Sequence, residues 1–124
     1  MAFAWVAAGG ALGSMARFWL AAAVAALTGP RFPWGTLLIN VSGSFVIGLF
    51  DALTATDGRL YLPMEIRAFV MVGLCGGFTT FSSFNLQTLE LMTSGAFVAA
   101  AGYIVGSVVL CLVFVWIGAV VGRM

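Results

Sequence analysis

The run Val70-Met71-Val72-Gly73-Leu74-Cys75-Gly76-Gly77-Phe78-Thr79-Thr80-Phe81-Ser82-Ser83-Phe84-Asn85 begins as an apolar membrane-type helix and then changes character. Gly76 and Gly77 carry the largest backbone entropy of any residue type. Thr79 and Thr80 are β-branched, with hydroxyls that bond backbone groups in place of the helical ladder. The expected outcome is a helix broken within a span. A break at membrane depth frees carbonyl groups, which persist only where protein buries them or a polar cavity receives them. Coordinating a hard cation is one use for such carbonyls. The other reading of these residues is an unbroken helix whose paired glycines let a neighbour approach closely.

The composition around this stretch leaves lipid as the only solvent that fits. A soluble domain carries about a quarter charged residues, whereas 7% of these 124 residues are charged and 63% are hydrophobic. Mean hydropathy is +1.16. At about 20 apolar residues per crossing, the chain accommodates four spans, roughly 3–27, 36–56, 64–93 and 96–121, within one transmembrane domain covering 1–124. The apolar stretch at the N-terminus continues past Arg17 and lacks a preceding basic segment, so it reads as the first span rather than as a signal peptide.

Several function classes drop out. A net charge of +1 supplies no basic stripe for nucleic acid. Cys75 and Cys111 stand alone in apolar surroundings, with no His anywhere in the chain, so neither a zinc site nor a redox pair is expected. Without His or an acidic cluster there is no general acid, base or activated nucleophile, and the chain is read as a non-enzyme.

The arginines nearly balance across the membrane. Arg59, Arg67 and Arg123 fall on the side of the second loop and the C-terminus, and Arg31 falls on the other, with Arg17 inside the first span. Insertion in both orientations, followed by pairing of opposed copies, is one consequence of so weak a bias. A single topology set by the small excess is the other. Small residues four apart (Gly9/Gly13, Ser44/Gly48, Gly73/Gly77, Gly102/Gly106 and Gly118/Gly122) favour close helix packing.

Polar side chains recur at one-turn intervals. Asn40 and Ser44 form one such pair in the second span, and Tyr103 and Ser107 form another in the fourth, with Cys111 a turn further on. Such stripes either glue helices together or offer hydrogen-bond donors along a pathway. Phe81 and Phe84 share a helical face. They are either ordinary packing residues or rings whose electropositive edges face a small anion. Asp51 and Glu90 lie towards span ends, and the first span has no carboxylate, which argues against a proton-coupled exporter built around an intramembrane acid.

The segment Gly76-Gly77-Phe78-Thr79-Thr80-Phe81-Ser82-Ser83-Phe84 resembles the GGxTTFSTF signature of the Fluc (CrcB) fluoride-channel family. Arg17-Phe18, the stretch from Pro33 to Asn40, and Tyr103 with Ser107 agree in order along all four spans. The resemblance implies an all-α integral membrane protein of four helices, the third broken mid-membrane. It further implies an antiparallel, dual-topology dimer of identical or homologous subunits with two pores. The implied activity is passive, selective export of cytoplasmic fluoride across the inner or plasma membrane of a microbe, relieving toxicity. It implies a structural Na+ at the dimer centre, held by backbone carbonyls of Gly76 and Thr79 from both subunits. The fluoride pathway falls on Phe81, Phe84, Asn40, Tyr103, Ser107, Thr80 and Ser83, with Arg17 in a vestibule or structural role. Two departures stand out. Ser83 replaces a motif Thr and keeps the hydroxyl, while Gln87 stands where many relatives carry Glu. The competing functional classes are a proton-coupled small-molecule exporter of the four-helix dual-topology type and a purely structural subunit.

Overall fold

The computed structural model describes all residues from Met1 to Met124 and contains helices and connecting turns, with no strand. Helix α1 spans Ala2–Thr28 and α2 spans Trp34–Thr54. The third apolar segment is divided in two. Its first half, α3 (residues 64–78), runs through an α-helical turn Met64–Arg67, a π-helical stretch Ala68–Cys75 and a last turn Gly76–Phe78. Its second half, α4, spans Phe81–Thr93, and α5 spans Phe97–Arg123. Taking α3 and α4 as one segment, Met64–Thr93, four helical segments are long and apolar enough to cross a membrane. The chain is a multi-pass membrane protein.

Local chemistry sets the ends. Gly29, at a φ of 77°, stops α1 and returns its N–H to the Ala25 carbonyl at 2.9 Å. Pro33, which has no N–H to lose, precedes the first turn of α2. That helix therefore starts two residues before the expected 36, and it stops at Thr54 because Ala55 is extended. Between α4 and α5 the chain reverses in three residues. Gly95 at φ 84° donates to Met92, and Ala96 donates to Leu91, closing both carbonyls left open by the helix end.

The helices alternate in direction, and glycine decides which of them touch. α1 packs chiefly on α3, and α2 chiefly on α5. A Cβ on Gly9 or Gly13 would fall on the carbonyl oxygens of Phe69 or Leu74, and one on Gly77 would meet the Gly10 carbonyl. Across the other pair, Gly48 faces the Val115 carbonyl and Gly118 faces that of Phe45. The backbones lie against one another with no side chain between, the geometry that favours helix association where lipid removes the hydrophobic drive. Four of the five small-residue pairs read from the sequence lie at these crossings. Gly102 and Gly106 meet nothing within the chain.

Only 19 of the 124 residues are buried, so most apolar side chains point outwards, as a lipid-solvated chain permits. The small core joins Phe84 and Leu91 of α4 to Ala100 and Tyr103 of α5, with Phe32 from the first loop packed against it. At the opposite end Arg67 fastens α3 to α2. It bonds the Thr54 carbonyl at the α2 terminus and pairs with Asp51 at 3.2 Å. A cation there also complements the negative end of the α2 dipole.

Gly118→Val should lower the thermal unfolding midpoint of the detergent-solubilised protein, by the equivalent of about 1–3 kcal/mol for overpacking. Gly106→Ala, made on the same helix, should leave it unchanged or slightly raised. Equal midpoints for the two variants would mean that the α2–α5 contact does not need its glycine.

Candidate functional site

Two residues interrupt the third segment. Thr79 (φ −81°, ψ 157°) and Thr80 (φ −151°, ψ 121°) are extended, so the helix ends at Phe78 and restarts at Phe81. This settles the local alternative left open by the sequence: the backbone is broken, and the glycines also serve close packing.

Several groups freed by the break find partners elsewhere. The Thr80 N–H, which in a continuous helix would bond the Gly76 carbonyl, donates to Asn40 Oδ1 at 2.8 Å. Asn40 Nδ2 in turn donates to the Thr80 carbonyl at 2.9 Å. One side-chain amide from α2 therefore pairs with both polar groups of a single extended residue, as a neighbouring strand would. The Ser83 N–H, which would otherwise bond the Thr79 carbonyl, is taken by Thr80 Oγ1 at 3.2 Å, making Thr80 the N-cap of α4. The Thr80 hydroxyl donates onward to Ser83 Oγ at 3.1 Å. The Gly77 carbonyl accepts from Arg17 Nε at 3.0 Å and, at 3.5 Å, from Ser14 Oγ. Arg17 thus caps the first half-helix from α1.

The carbonyls of Gly76 and Thr79 are among those stripped of their usual i+4 donors. The break also sets the negative end of α3 against the positive end of α4, which places acceptor oxygens and donor groups within a few residues of each other.

Most of the residues singled out in the sequence converge. Asn40, Gly76, Thr79, Thr80, Phe81, Phe84 and Ser107 all line one cavity of about 330 Å³, together with Cys75 and Cys111. Phe81 and Phe84 have ring centroids 5.7 Å apart and planes inclined at 34°. Phe84 is buried, whereas Phe81 is 74% exposed at the cavity rim. Ser107 Oγ is buried with no hydrogen-bond partner. It is the one hydroxyl of the two polar stripes left free, since Ser44 donates to the Asn40 carbonyl at 2.7 Å and Tyr103 to Gln87.

A second cavity, also about 330 Å³, shares Thr80 with the first and is lined by Ser14, Arg17, Thr36, Ser83 and Gln87, among others. It leads towards a third, of about 400 Å³, at the end of the bundle that holds Arg31 and Glu90. The two share Ala21, Thr36 and Gln87. Tyr103 lines none of these cavities. It is wholly buried, stacks near Phe84 with centroids 4.9 Å apart, and donates its hydroxyl to Gln87 Oε1 at 2.8 Å. That bond points the Gln87 amide group, with its two donors, away from Tyr103. Gln87 enters the sequence reading only as a departure from the family pattern, and Ser14 does not enter it at all. The three-residue spacing of Ser14 and Arg17, which puts both on one helical face, was the available signal.

Comparison with known proteins adds independent information. A family model described as CrcB-like protein, Camphor Resistance (CrcB), matches residues 4–119. A protein of Methylocella silvestris named fluoride-specific ion channel FluC is 58% identical over 121 residues, covering 98% of this chain and 92% of that one. Proteins of the same name from Rhodospirillum rubrum and Paramagnetospirillum magneticum are 57% and 54% identical, each covering 95% of this chain and 92% of their own length.

Asn40→Ala should leave the Thr80 N–H and carbonyl without partners in an apolar setting, at about 1–3 kcal/mol for each unsatisfied group. A lowered unfolding midpoint and faster hydrogen exchange at Thr80 are the expected readings. Unaltered exchange would remove Asn40 as the clamp on the break.

Proposed function

The chain belongs to the CrcB-like family, and from that premise we propose that it is a fluoride-selective passive channel that lets cytoplasmic fluoride leave the cell. The observation that carries this reading is the cavity beside the broken helix, where Phe81, Phe84 and the unpartnered hydroxyl of buried Ser107 meet. Fluoride is small and strongly hydrated, so entering a low-dielectric path costs a large desolvation free energy. A free hydroxyl, two phenyl edges and the positive end of α4 replace water in steps. None of them holds the ion tightly, which a conducting path requires.

Within this reading the residues divide their roles. Phe81, Phe84 and Ser107 line the route directly. Thr80 lines both cavities and Ser83 the second, to which Arg17 contributes positive charge while capping Gly77. Asn40 acts through Thr80, holding the break open. Tyr103 acts through Gln87, whose neutral amide donates where a carboxylate would repel the anion. The function is transport, with no bond made or broken.

The carbonyls of Gly76 and Thr79 suit a Na+ ion. They are hard oxygen donors deprived of helix partners, and Gly76 is exposed on the outside of the single chain. Such an ion supplies fixed positive charge near the anion route. Two carbonyls are too few for a closed shell, so the proposed site draws on a second copy, inserted in the opposite orientation, or on a homologous subunit. The exposed ring of Phe81 and the exposed edge at Gly76 support a partner on this face. The proposed assembly is an antiparallel dimer with two pores, each chain one four-span domain with its break at mid-membrane depth, in the inner or plasma membrane. A proton-coupled exporter finds less support. Asp51 is already paired with Arg67, and Glu90 is exposed near a helix end.

Liposomes containing only this chain should release fluoride far faster than chloride. Equal rates would overturn the selectivity, and no flux would leave an assembly role. Phe81→Ile, which removes a ring edge while keeping bulk, should slow fluoride release at least tenfold, about 1.4 kcal/mol of barrier, without dissociating the assembly. Unchanged release would take that ring off the route.

A further inference from the structure

The chain has nine charged side chains, and four of them converge on one cavity that the fluoride reading does not use. Asp51, Asp57, Arg59 and Arg123 line a space of about 370 Å³ where the end of α2, the following loop and the last turn of α5 meet. Its floor is built from small residues. Gly58 turns beneath it, donating to the Ala55 carbonyl at 2.7 Å, and any Cβ there would press on the Leu53 backbone. Gly122 is buried against Ala52 and the Leu49 carbonyl. A side chain at either position would collide with these neighbours.

Three of these four charges are uncommitted. The only salt bridge in the molecule joins Asp51 to Arg67, which leaves Arg59, Arg123 and Asp57 without ionic partners. Two free guanidiniums and the free carboxylate of Asp57 in one cavity match a ligand carrying one anionic and one cationic group close together. Free guanidiniums favour a phosphate, which they can bind through two parallel N–H donors. Carboxylates favour a cation that itself donates hydrogen bonds, as a primary ammonium does.

The source of that ligand follows from what lies beneath Arg123. Val120 and Trp116, three and seven residues earlier, fall on the same face of α5 and are 38% and 67% exposed. An apolar stripe descends from the charged cavity along the lipid-facing side of the helix. A soluble ion has no use for it, and an acyl chain does. We propose that this cavity binds the headgroup of a zwitterionic phospholipid with a primary ammonium, of the phosphatidylethanolamine type. Its phosphate lies between Arg59 and Arg123, its ammonium against Asp57, and an acyl chain along Val120 and Trp116.

Native mass spectrometry of the purified full-length protein, offered equal amounts of dioleoyl-phosphatidylethanolamine, -phosphatidylcholine and -phosphatidylglycerol, tests this directly. The wild type should retain the ethanolamine lipid over both others. Asp57→Asn should reduce the preference for ethanolamine over choline lipid, whose quaternary ammonium donates no hydrogen bond. Arg59→Gln should weaken retention of the ethanolamine lipid roughly tenfold, the loss of one charge-assisted hydrogen bond. Equal retention of the three lipids by the wild type would overturn the proposal, as would preference for the glycerol lipid or an undiminished ethanolamine preference in Asp57→Asn. The wild-type comparison needs no variant to fold, and none of these readings involves ion flux, so they stand apart from the fluoride assignment.

Discussion

Everything distinctive in this molecule depends on how an apolar interior accommodates one interrupted stretch of backbone. Thr79 and Thr80 leave the helical ladder, and an apolar medium offers no water to the groups they release. Protein atoms meet the demand instead. Asn40 brackets Thr80 on both sides, the Thr80 hydroxyl caps the restarted helix, and Arg17 covers Gly77. Two of these contacts come from α2 and α1 and one from the broken segment itself, so neighbouring helices help to hold the break. The Gly76 and Thr79 carbonyls lose their i+4 donors in the same break.

The same constraint explains the glycine pattern. For Asn40 to reach Thr80, and Arg17 to reach Gly77, α1 and α2 must lie unusually close to the third segment. Gly9, Gly13 and Gly77 permit this on one side, while Gly43 does so on the other, where a Cβ would collide with the Thr79 side chain. Close packing and the polar clamp are therefore one design: the glycines set the distance, and the amide and guanidinium use it. Gly102 and Gly106 face open space instead, on a helix whose outward face is apolar throughout.

Charge is distributed unequally between the two ends of the bundle. One end gathers Asp51, Asp57, Arg59, Glu65, Arg67 and Arg123, and the other holds Arg31 and Glu90 beside the cavity chain that reaches Gln87. The cavity at Arg31 and Glu90 and the proposed lipid site thus lie at opposite ends of the bundle. Arg17 stands alone between them, its guanidinium tied to a backbone carbonyl and lining the second cavity.

The one-dimensional pattern was enough for the solvent, the number of spans and the position of the break. Each rests on local physics: too few charges for a water-facing surface, apolar runs of bilayer length, and Gly-Gly followed by Thr-Thr where a helix is least favoured. The convergence of Phe81, Phe84, Asn40 and Ser107 was anticipated from one-turn spacing and from resemblance, because spacing fixes which residues share a face. Spacing does not fix what a side chain does there. Only the tertiary arrangement decided that Asn40 is spent on the backbone of Thr80 and that Tyr103 is buried behind the site holding Gln87. It also decided that Arg17 caps Gly77 and that Ser107 alone of the striped hydroxyls stays free. Hydrogen-bond partners 40 to 63 residues apart are chosen by how helices cross, and a crossing is a property of two surfaces, which no single stretch of sequence contains.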